Sequence, residues 1–229
     1  SRMARRRAII RKLPAVEALG STTVIGSDKT GTLTQNQMTV QQIFAGGEQF
    51  TVEGSGYTPT GRLLRDGVAL SLENLPPVLG ATLEAGTLAN DSRLLHTEAR
   101  WEIQGDPTEG ALLVAARKAS LDESALLQRF PRLDAIPFES AHQYMATLHA
   151  TGEGRPRRVL VKGSVEALLE RSAHGLSPDG QTVLLDKSAI HKQADGMAAD
   201  GLRVLAFAEK ALPASAQKLA HSDIAEGLT

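Results

Sequence analysis

The chain of 229 residues is long enough for one large domain or for two ordinary ones, each with a buried core. Its 41% of hydrophobic and 22% of charged residues exclude a wholly disordered chain, and the absence of cysteine excludes disulfide bonds and thiolate metal sites. The net charge of −1 is small, and no apolar run reaches the roughly 18 residues that a membrane-spanning helix needs.

Residues 3–19 carry apolar side chains at helical spacing and are followed by Gly20, which predicts a helix that ends before a strand. Six basic residues and no acid fall in residues 1–12, so the remainder holds 19 basic against 26 acidic residues, a net charge of −7. This basic end fits either a solvated helix face or a stalk that faces anionic lipid. A nucleic-acid arm is disfavoured, because nothing downstream extends the basic patch.

A short β-branched run at residues 22–25 predicts a buried strand, and it leads to Asp28. A carboxylate at the carboxyl end of a strand lies where open α/β folds place their active sites, and it can attack a phosphoryl group to form an acyl phosphate. Lys29 can offset phosphate charge, and Thr30 adds donors in the turn that follows. The alternative is an ordinary turn after a strand, but the pattern of residues 28–34 as a whole favours the nucleophile.

Further along the chain, the apolar spacing changes between the period of strands and the period of helices. A loop rich in glycine and proline is predicted at residues 54–61. Strands are predicted at residues 38–44, 49–52, 101–104, 144–149, 158–161 and 203–208. Helices are predicted at residues 79–88, from residue 107, at 164–172 and at 188–199.

The helix that begins at Pro107 has a complete start signal. Asp106 is its predicted N-cap, and Glu109 stands three residues after the cap, as in a capping box. Closing this box and binding a ligand are both open to Glu109 at this point.

The Asp-Lys-Thr-Gly-Thr-Leu-Thr sequence of residues 28–34 matches the phosphorylation signature of P-type ATPases residue for residue. The chain therefore resembles the large cytoplasmic loop of a P-type cation-transporting ATPase, of the calcium- and sodium-pump-like branch that includes bacterial pumps. The resemblance implies that ATP phosphorylates Asp28, with Lys29 and Thr30 beside it. It also implies that Mg²⁺ is held by Asp28 and the main-chain carbonyl of Thr30.

Later segments resemble the nucleotide-binding domain of the same family, in the family's order. Gly-Asp-Pro-Thr-Glu at residues 105–109 implies that Glu109 lies near the adenine, and Pro-Phe-Glu-Ser at residues 137–140 implies that Phe138 stacks on it. Gln143 stands where the calcium pump has a lysine, which weakens the case for a charge contact at that position.

Two more segments complete the resemblance. Lys-Gly-Ser-Val-Glu at residues 162–166 implies that Lys162 lines the nucleotide pocket and that Gly163 allows close approach. Gly-Leu-Arg-Val-Leu-Ala at residues 201–206 resembles the segment whose arginine reaches toward the phosphates, which makes Arg203 the candidate.

The expected fold class is α/β and α+β: part of a haloacid-dehalogenase-like phosphorylation domain, plus a nucleotide-binding domain with an antiparallel sheet flanked by helices. The expected layout is a stalk-like helical segment at residues 1–20, the N-terminal part of the phosphorylation domain at 21–54, the nucleotide-binding domain at 55–215, and a tail leading back to the phosphorylation domain at 216–229.

The expected function is the ATP-binding and phosphoryl-acceptor loop of an ATP-driven cation pump, at the cytoplasmic face of a membrane-embedded protein. The family's Thr-Gly-Asp segment is not in the sequence, so we expect a soluble piece of a longer protein that binds adenine nucleotide weakly without turnover. The transported cation is not expected to bind this piece, no nucleic-acid partner is expected, and membrane contact would come only through transmembrane helices outside the sequence.

Two alternatives stay open at this point. One is a nucleotide-binding module without catalysis. The other is a phosphatase of the haloacid-dehalogenase-like superfamily, which is disfavoured because Thr30 stands where those hydrolases carry a second aspartate as general acid and base.

Overall fold

The computed structural model describes residues 21–24, 26, 34, 36–97 and 100–229. The chain divides into two compact units, Ser1–Asn36 and Gln37–Thr229, and every helix and strand described below lies in the second unit. The candidate nucleophile Asp28, its neighbours Lys29 and Thr30, and the stalk-like segment at residues 1–20 lie outside the described residues.

The second unit combines antiparallel strands with helices. Its strands are β1 (Gln42–Ala45), β2 (Glu48–Val52), β3 (Leu63–Arg65), β4 (Val68–Ala69), β5 (Arg93–His96), β6 (Trp101–Gln104), β7 (Arg132–Glu139), β8 (Tyr144–His149), β9 (Arg157–Gly163), β10 (His174–Leu176), β11 (Thr182–Leu184) and β12 (Ala206–Leu212). Its α-helices are α1 (Pro77–Leu88), α2 (Pro107–Lys118), α3 (Glu123–Arg129), α4 (Val165–Arg171) and α5 (Lys187–Ala199). Within the described part of the chain, we find no helix with the length and apolar character needed to span a bilayer.

The central sheet has the strand order β12-β9-β8-β7 and is antiparallel throughout. Every residue of β8 is buried, because both faces of this strand are covered. In β9, Val159 and Val161 face a core shared with Leu168 of α4. The intervening Leu160 faces the opposite core, which contains Leu88 of α1. This alternation shows that the sheet is packed on both faces.

A second four-stranded sheet, in the order β1-β2-β3-β4, covers the other side of α1. Phe50 and Leu63 from this sheet are 0% and 1% exposed and pack in one cluster with Leu79 of α1 and Ala115 of α2. The compact unit therefore begins at Gln37, whereas the sequence predicted a boundary near residue 54. Packing against α1, which the local sequence does not reveal, places β1 and β2 in this unit.

The segment that follows β12 returns to the central sheet. Ile224 and Leu228 are fully buried in the same core as Leu168, and Thr229 exchanges two main-chain hydrogen bonds with Glu209 of β12, at 2.8 and 3.0 Å. The Nδ1 atom of His221 lies 2.6 Å from the Tyr144 hydroxyl. Residues 216–229, which the sequence analysis assigned to a tail, are thus packed against the sheet.

Three predicted strands differ clearly from the observed ones. The strand predicted at residues 38–44 covers only Gln42–Ala45. Residues 22–24 of the predicted buried strand are exposed and lie in no strand, with Val24 79% exposed. A β-branched run has a preference for strands, but this preference depends on packing against neighbouring strands and is not sufficient by itself. The strand predicted at residues 203–208 runs instead over Ala206–Leu212, because pairing with the whole of β9 sets its limits.

His149 links the central sheet to the end of α3 and gives the fold a pH dependence. Its side chain is fully buried, with Nδ1 2.9 Å from the Phe130 carbonyl oxygen and Nε2 2.9 Å from the Thr147 hydroxyl. Burial lowers the pKa of His149 from 6.5 to about 4. The unfolded chain therefore binds a proton between these pH values that the folded chain does not, and stability is lost as the pH falls from 6.5 toward 4.

We expect this single group to lower the free energy of unfolding by about 3 kcal/mol between pH 6.5 and pH 4. Urea unfolding followed by circular dichroism across this range should show that loss in the wild type and not in His149→Gln, which keeps a polar side chain that does not titrate. The exposed His191→Gln serves as the control and should follow the wild type. Parallel pH profiles for the wild type and His149→Gln would contradict the assignment.

Candidate functional site

The candidate site residues gather at one end of the central sheet. A row of paired residues crosses the sheet there: Glu139 pairs with Tyr144, Tyr144 with Gly163, and Gly163 with Ala206. Because the sheet is antiparallel, this row joins the end of β7, the start of β8, the end of β9 and the start of β12. Segments far apart in the sequence are therefore brought to one edge.

Phe138 lies one residue before this row, and its side chain is exposed. The residue as a whole is 60% exposed, which is unusual for a large aromatic side chain. The register of β7 against β8 shifts between Ile136 and Glu139, so Phe138 lies where the regular pairing is interrupted. An exposed aromatic ring at the edge of a sheet can stack on the π-face of a base.

Gln143 is fixed by the turn that joins β7 to β8. It has a φ of 58°, a left-handed conformation that is uncommon outside glycine. Its N–H donates to the Glu139 carbonyl at 2.8 Å, and its own carbonyl accepts from the Ser164 N–H at 2.9 Å. The Ser164 hydroxyl also donates to Oε1 of Gln143 at 3.2 Å. The turn is thereby bonded to the residue that precedes α4.

Gly163 makes this close approach possible. A Cβ atom at this position would lie 2.5 Å from the Gln143 carbonyl oxygen and 2.7 Å from Cβ of Tyr144. Backbone atoms cannot move aside as a flexible side chain can, so only glycine fits between β9 and the turn.

Glu109 and Lys162 form an ion pair between α2 and the central sheet. Nζ of Lys162 donates to Oε1 of Glu109 at 2.8 Å, and the two side chains are 8% and 15% exposed, Lys162 first. Lys162 lies within β9, between Met145 of β8 and Phe207 of β12, and not after the strand as the sequence predicted. Ionised groups removed from water need such a partner.

The other oxygen of Glu109 is held by the loop between α1 and β5. Oε2 accepts from the Asp91 N–H and from the Ser92 hydroxyl, both at 3.0 Å. The capping-box prediction is wrong for Glu109, because its carboxylate is used by these donors and by Lys162. Asp106 alone caps α2, accepting from the N–H groups of Thr108 and Glu109.

Residues 89–92, which we call the α1–β5 loop, belong to the site but were not predicted from the sequence. Asn90 is 8% exposed, and its Nδ2 donates to the carbonyls of Gly86 and Glu109 at 3.0 and 2.9 Å. Its Oδ1 accepts from the Ser92 N–H at 2.9 Å. The only sequence signal for this loop is its run of three small polar residues directly after an apolar helix.

Arg203 is exposed and lies three residues before β12. It borders an apolar cavity of about 560 Å³ that also contacts Thr108, Leu112 and Phe207. Glu109, Phe138 and Lys162 do not line this cavity. We place the candidate site at the sheet edge, because Phe138 and the Glu109–Lys162 pair both lie at that edge, whereas the cavity is lined mainly by aliphatic groups.

The residues predicted for phosphoryl transfer are a different set from those at the sheet edge. Asp28, Lys29 and Thr30, and hence both predicted Mg²⁺ ligands, lie outside the described residues. Across residues 36–97 and 100–229, we find no cluster of three or more histidine or acidic side chains that could hold a metal ion.

Comparison with known proteins gives consistent matches. The family model described as "P-type ATPase, cytoplasmic domain N" matches residues 79–229. The chain is 53% identical over 234 residues to the cation-transporting ATPase pma1 of Synechocystis, covering 100% of this chain and 25% of that protein. It is 46% identical to the probable cation-transporting ATPase F of Mycobacterium tuberculosis (90% and 22% covered), and 36% identical to the calcium-transporting ATPase of Bacillus subtilis (93% and 24%). The chain thus spans about a quarter of the length of these relatives.

The ion pair predicts a strongly non-additive mutational response. Lys162→Met leaves the Glu109 carboxylate buried without its cation, and we expect a loss of about 3 kcal/mol in the free energy of unfolding. Adding Glu109→Gln removes the unpaired charge and should recover a large part of that loss. Urea unfolding of the two single variants and the double variant measures the coupling.

Lys218 provides the matched control for that cycle. Its side chain is 86% exposed and lies 3.6 Å from Asp134, so Lys218→Met should change stability by less than about 0.5 kcal/mol. Additive effects of the Lys162 and Glu109 substitutions would show that the pair is not coupled.

Gly163→Ala should destabilise the protein by about 2 kcal/mol or more, because the added methyl group meets backbone atoms. Gly196→Ala is the comparison variant: a methyl group at this position of α5 would have nothing beyond its own helix within 4 Å, so a stabilisation of up to about 1 kcal/mol is expected. Thermal unfolding of both variants measures the difference. Equal melting temperatures for the two would refute the close approach at Gly163.

Proposed function

Because the chain belongs to the P-type ATPase family, in which it matches cytoplasmic domain N, we propose that it binds ATP at the edge of its central sheet. One observation carries the proposal: exposed Phe138 lies at the same sheet edge as the buried Glu109–Lys162 pair. An exposed aromatic ring and a carboxylate–ammonium pair at one sheet edge offer both stacking and hydrogen bonding to a base.

Each candidate residue receives a role in this proposal. Phe138 stacks on the adenine, and Glu109 supplies a hydrogen-bond acceptor near it. Lys162 is the buried cation that pairs with Glu109 and borders the nucleotide pocket. Gly163 lets β9 pack closely against the turn between β7 and β8 at this edge. Arg203, exposed before β12, reaches toward the phosphates.

Gln143 has a positioning role in the same proposal. Its side chain accepts from the Ser164 hydroxyl, and its main chain bonds to both neighbouring elements. A neutral amide at this position contributes no charge to phosphate binding, so affinity rests more heavily on stacking and on Arg203.

In the complete protein, we propose that Asp28 accepts the terminal phosphoryl group of ATP. A carboxylate oxygen of Asp28 forms the new bond to phosphorus as the bond to the ADP oxygen breaks. Lys29 and Thr30 would offset phosphate charge and donate hydrogen bonds, and Asp28 and the Thr30 carbonyl would hold Mg²⁺, which would neutralise charge on the phosphoryl group. This part of the proposal rests on the sequence of residues 28–34 and on the named relatives.

We further propose that the complete protein is an ATP-driven cation pump, and that this chain belongs to its cytoplasmic side. The names of the relatives, cation-transporting and calcium-transporting ATPases, support this proposal. For the chain by itself, nucleotide binding without turnover is the expected behaviour.

Isothermal titration with ATP tests the proposed function. We expect saturable binding by the wild type and a loss of about tenfold or more in affinity for Phe138→Ala, since stacking on an aromatic ring contributes about 1–3 kcal/mol per base. A phosphate-release assay on the same sample should show no turnover. Val68→Ala is the control, because Val68 is also apolar and exposed, at 67%, but lies on β4 of the other sheet.

Two outcomes would overturn this proposal. Absence of ATP binding by the wild-type chain would remove the nucleotide site, and equal affinities for Phe138→Ala and the wild type would remove the stacking role. Rapid phosphate release by the isolated chain would favour the phosphatase alternative.

A further inference from the structure

Arg132 makes several hydrogen bonds that hold the α1–β5 loop in place. Its Nη1 lies 2.5 Å from Oδ1 of Asp91, and its Nη2 donates to the carbonyls of Leu88 and Asn90 at 2.8 and 2.7 Å. Leu88 is the last residue of α1, so the guanidinium group also lies at the negative end of that helix. The Arg132 side chain is 27% exposed, which limits its freedom.

The loop that Arg132 holds is the one that donates to Glu109. The Asp91 N–H and the Ser92 hydroxyl both reach Oε2 of Glu109. Nη2 of Arg132 binds the Asn90 carbonyl, immediately before the Asp91 N–H in the chain. The position of that N–H therefore depends directly on the guanidinium group.

We propose that Arg132 is a positioning residue for the nucleotide site, acting on Glu109 through the α1–β5 loop. This inference rests on the proposed function. It concerns a residue on β7 that does not touch Glu109 and that lies six residues before Phe138 on the same strand.

The chemistry of the carboxylate explains why positioning matters. A carboxylate has about four acceptor sites, two on each oxygen. The loop occupies Oε2 with two donors and Lys162 occupies one site on Oε1, which leaves one site on Oε1 for a ligand. If the loop donors move away, the carboxylate can rotate toward the Lys162 ammonium group, and the free acceptor site loses its fixed direction.

Lysine cannot replace Arg132 in this role. The planar guanidinium group reaches one carboxylate and two carbonyls from a single side chain, whereas an ammonium group is a compact point charge on a flexible stem. The contact with Asp91 adds little, because the Asp91 side chain is 62% exposed. The two carbonyl bonds carry the positioning.

Titration of ATP into Arg132→Lys tests the inference. We expect affinity to fall about tenfold, in line with the loss of hydrogen bonds that fix a binding group. In a Glu109→Gln background the same substitution should change affinity by less than about twofold, because the group that Arg132 positions is already altered. Arg158→Lys is the matched control: it too removes a largely buried arginine, 18% exposed and bound to Glu84 and Glu209, and should leave affinity within about twofold.

Amide hydrogen exchange tests the same inference without ligand. In Arg132→Lys, exchange at the Asp91 N–H should accelerate about tenfold or more relative to the amides of β9, and Arg158→Lys should not produce this local change. If the wild type binds no ATP, the proposed function fails, and the exchange result alone decides the positioning role. Unchanged exchange at Asp91, or an affinity loss that persists undiminished in the Glu109→Gln background, would overturn the inference.

Discussion

The buried ammonium group of Lys162 needs a carboxylate partner because it is removed from water, and this requirement joins α2 to the central sheet. Glu109 meets the requirement from the first turn of α2, and the α1–β5 loop then supplies the donors that its second oxygen needs. A helix, a strand and a loop are thus tied to one buried pair. The relative placement of these elements follows from satisfying two charges away from water.

Because the sheet is antiparallel, segments from different parts of the chain lie at the same edge as this buried pair. Strand ends and strand starts alternate along the row from Glu139 to Ala206, so a hairpin turn, a glycine and the approach to β12 share one edge. None of these segments is long, and each is anchored by a regular strand behind it. The strands at such an edge fix the positions of the loop residues that follow them.

Features with local signals were accessible from the sequence, and features that depend on distant partners were not. Asp106 and Pro107 mark the start of α2 in consecutive residues, and the strand predicted at residues 144–149 has the same bounds as β8. Lys162 and Glu109 are 53 positions apart in the sequence, and no local pattern near either residue indicates its partner. Arg132 binds main-chain carbonyls, which every residue possesses, so no residue type reveals its targets. The position and neighbours of Glu109 are typical of a capping box, but its carboxylate is used in tertiary contacts.

The two hydrogen bonds between Thr229 and Glu209 have a mechanical consequence. A tensile load applied to the chain at Thr229 falls on these bonds, on the buried side chain of Leu228 and, through the hydrogen bond from the Leu228 N–H to the Arg171 carbonyl, on the end of α4. The load passes directly into β12, the strand that Arg203 precedes. Strain at this point of the chain is therefore shared between a strand of the central sheet and the end of a helix.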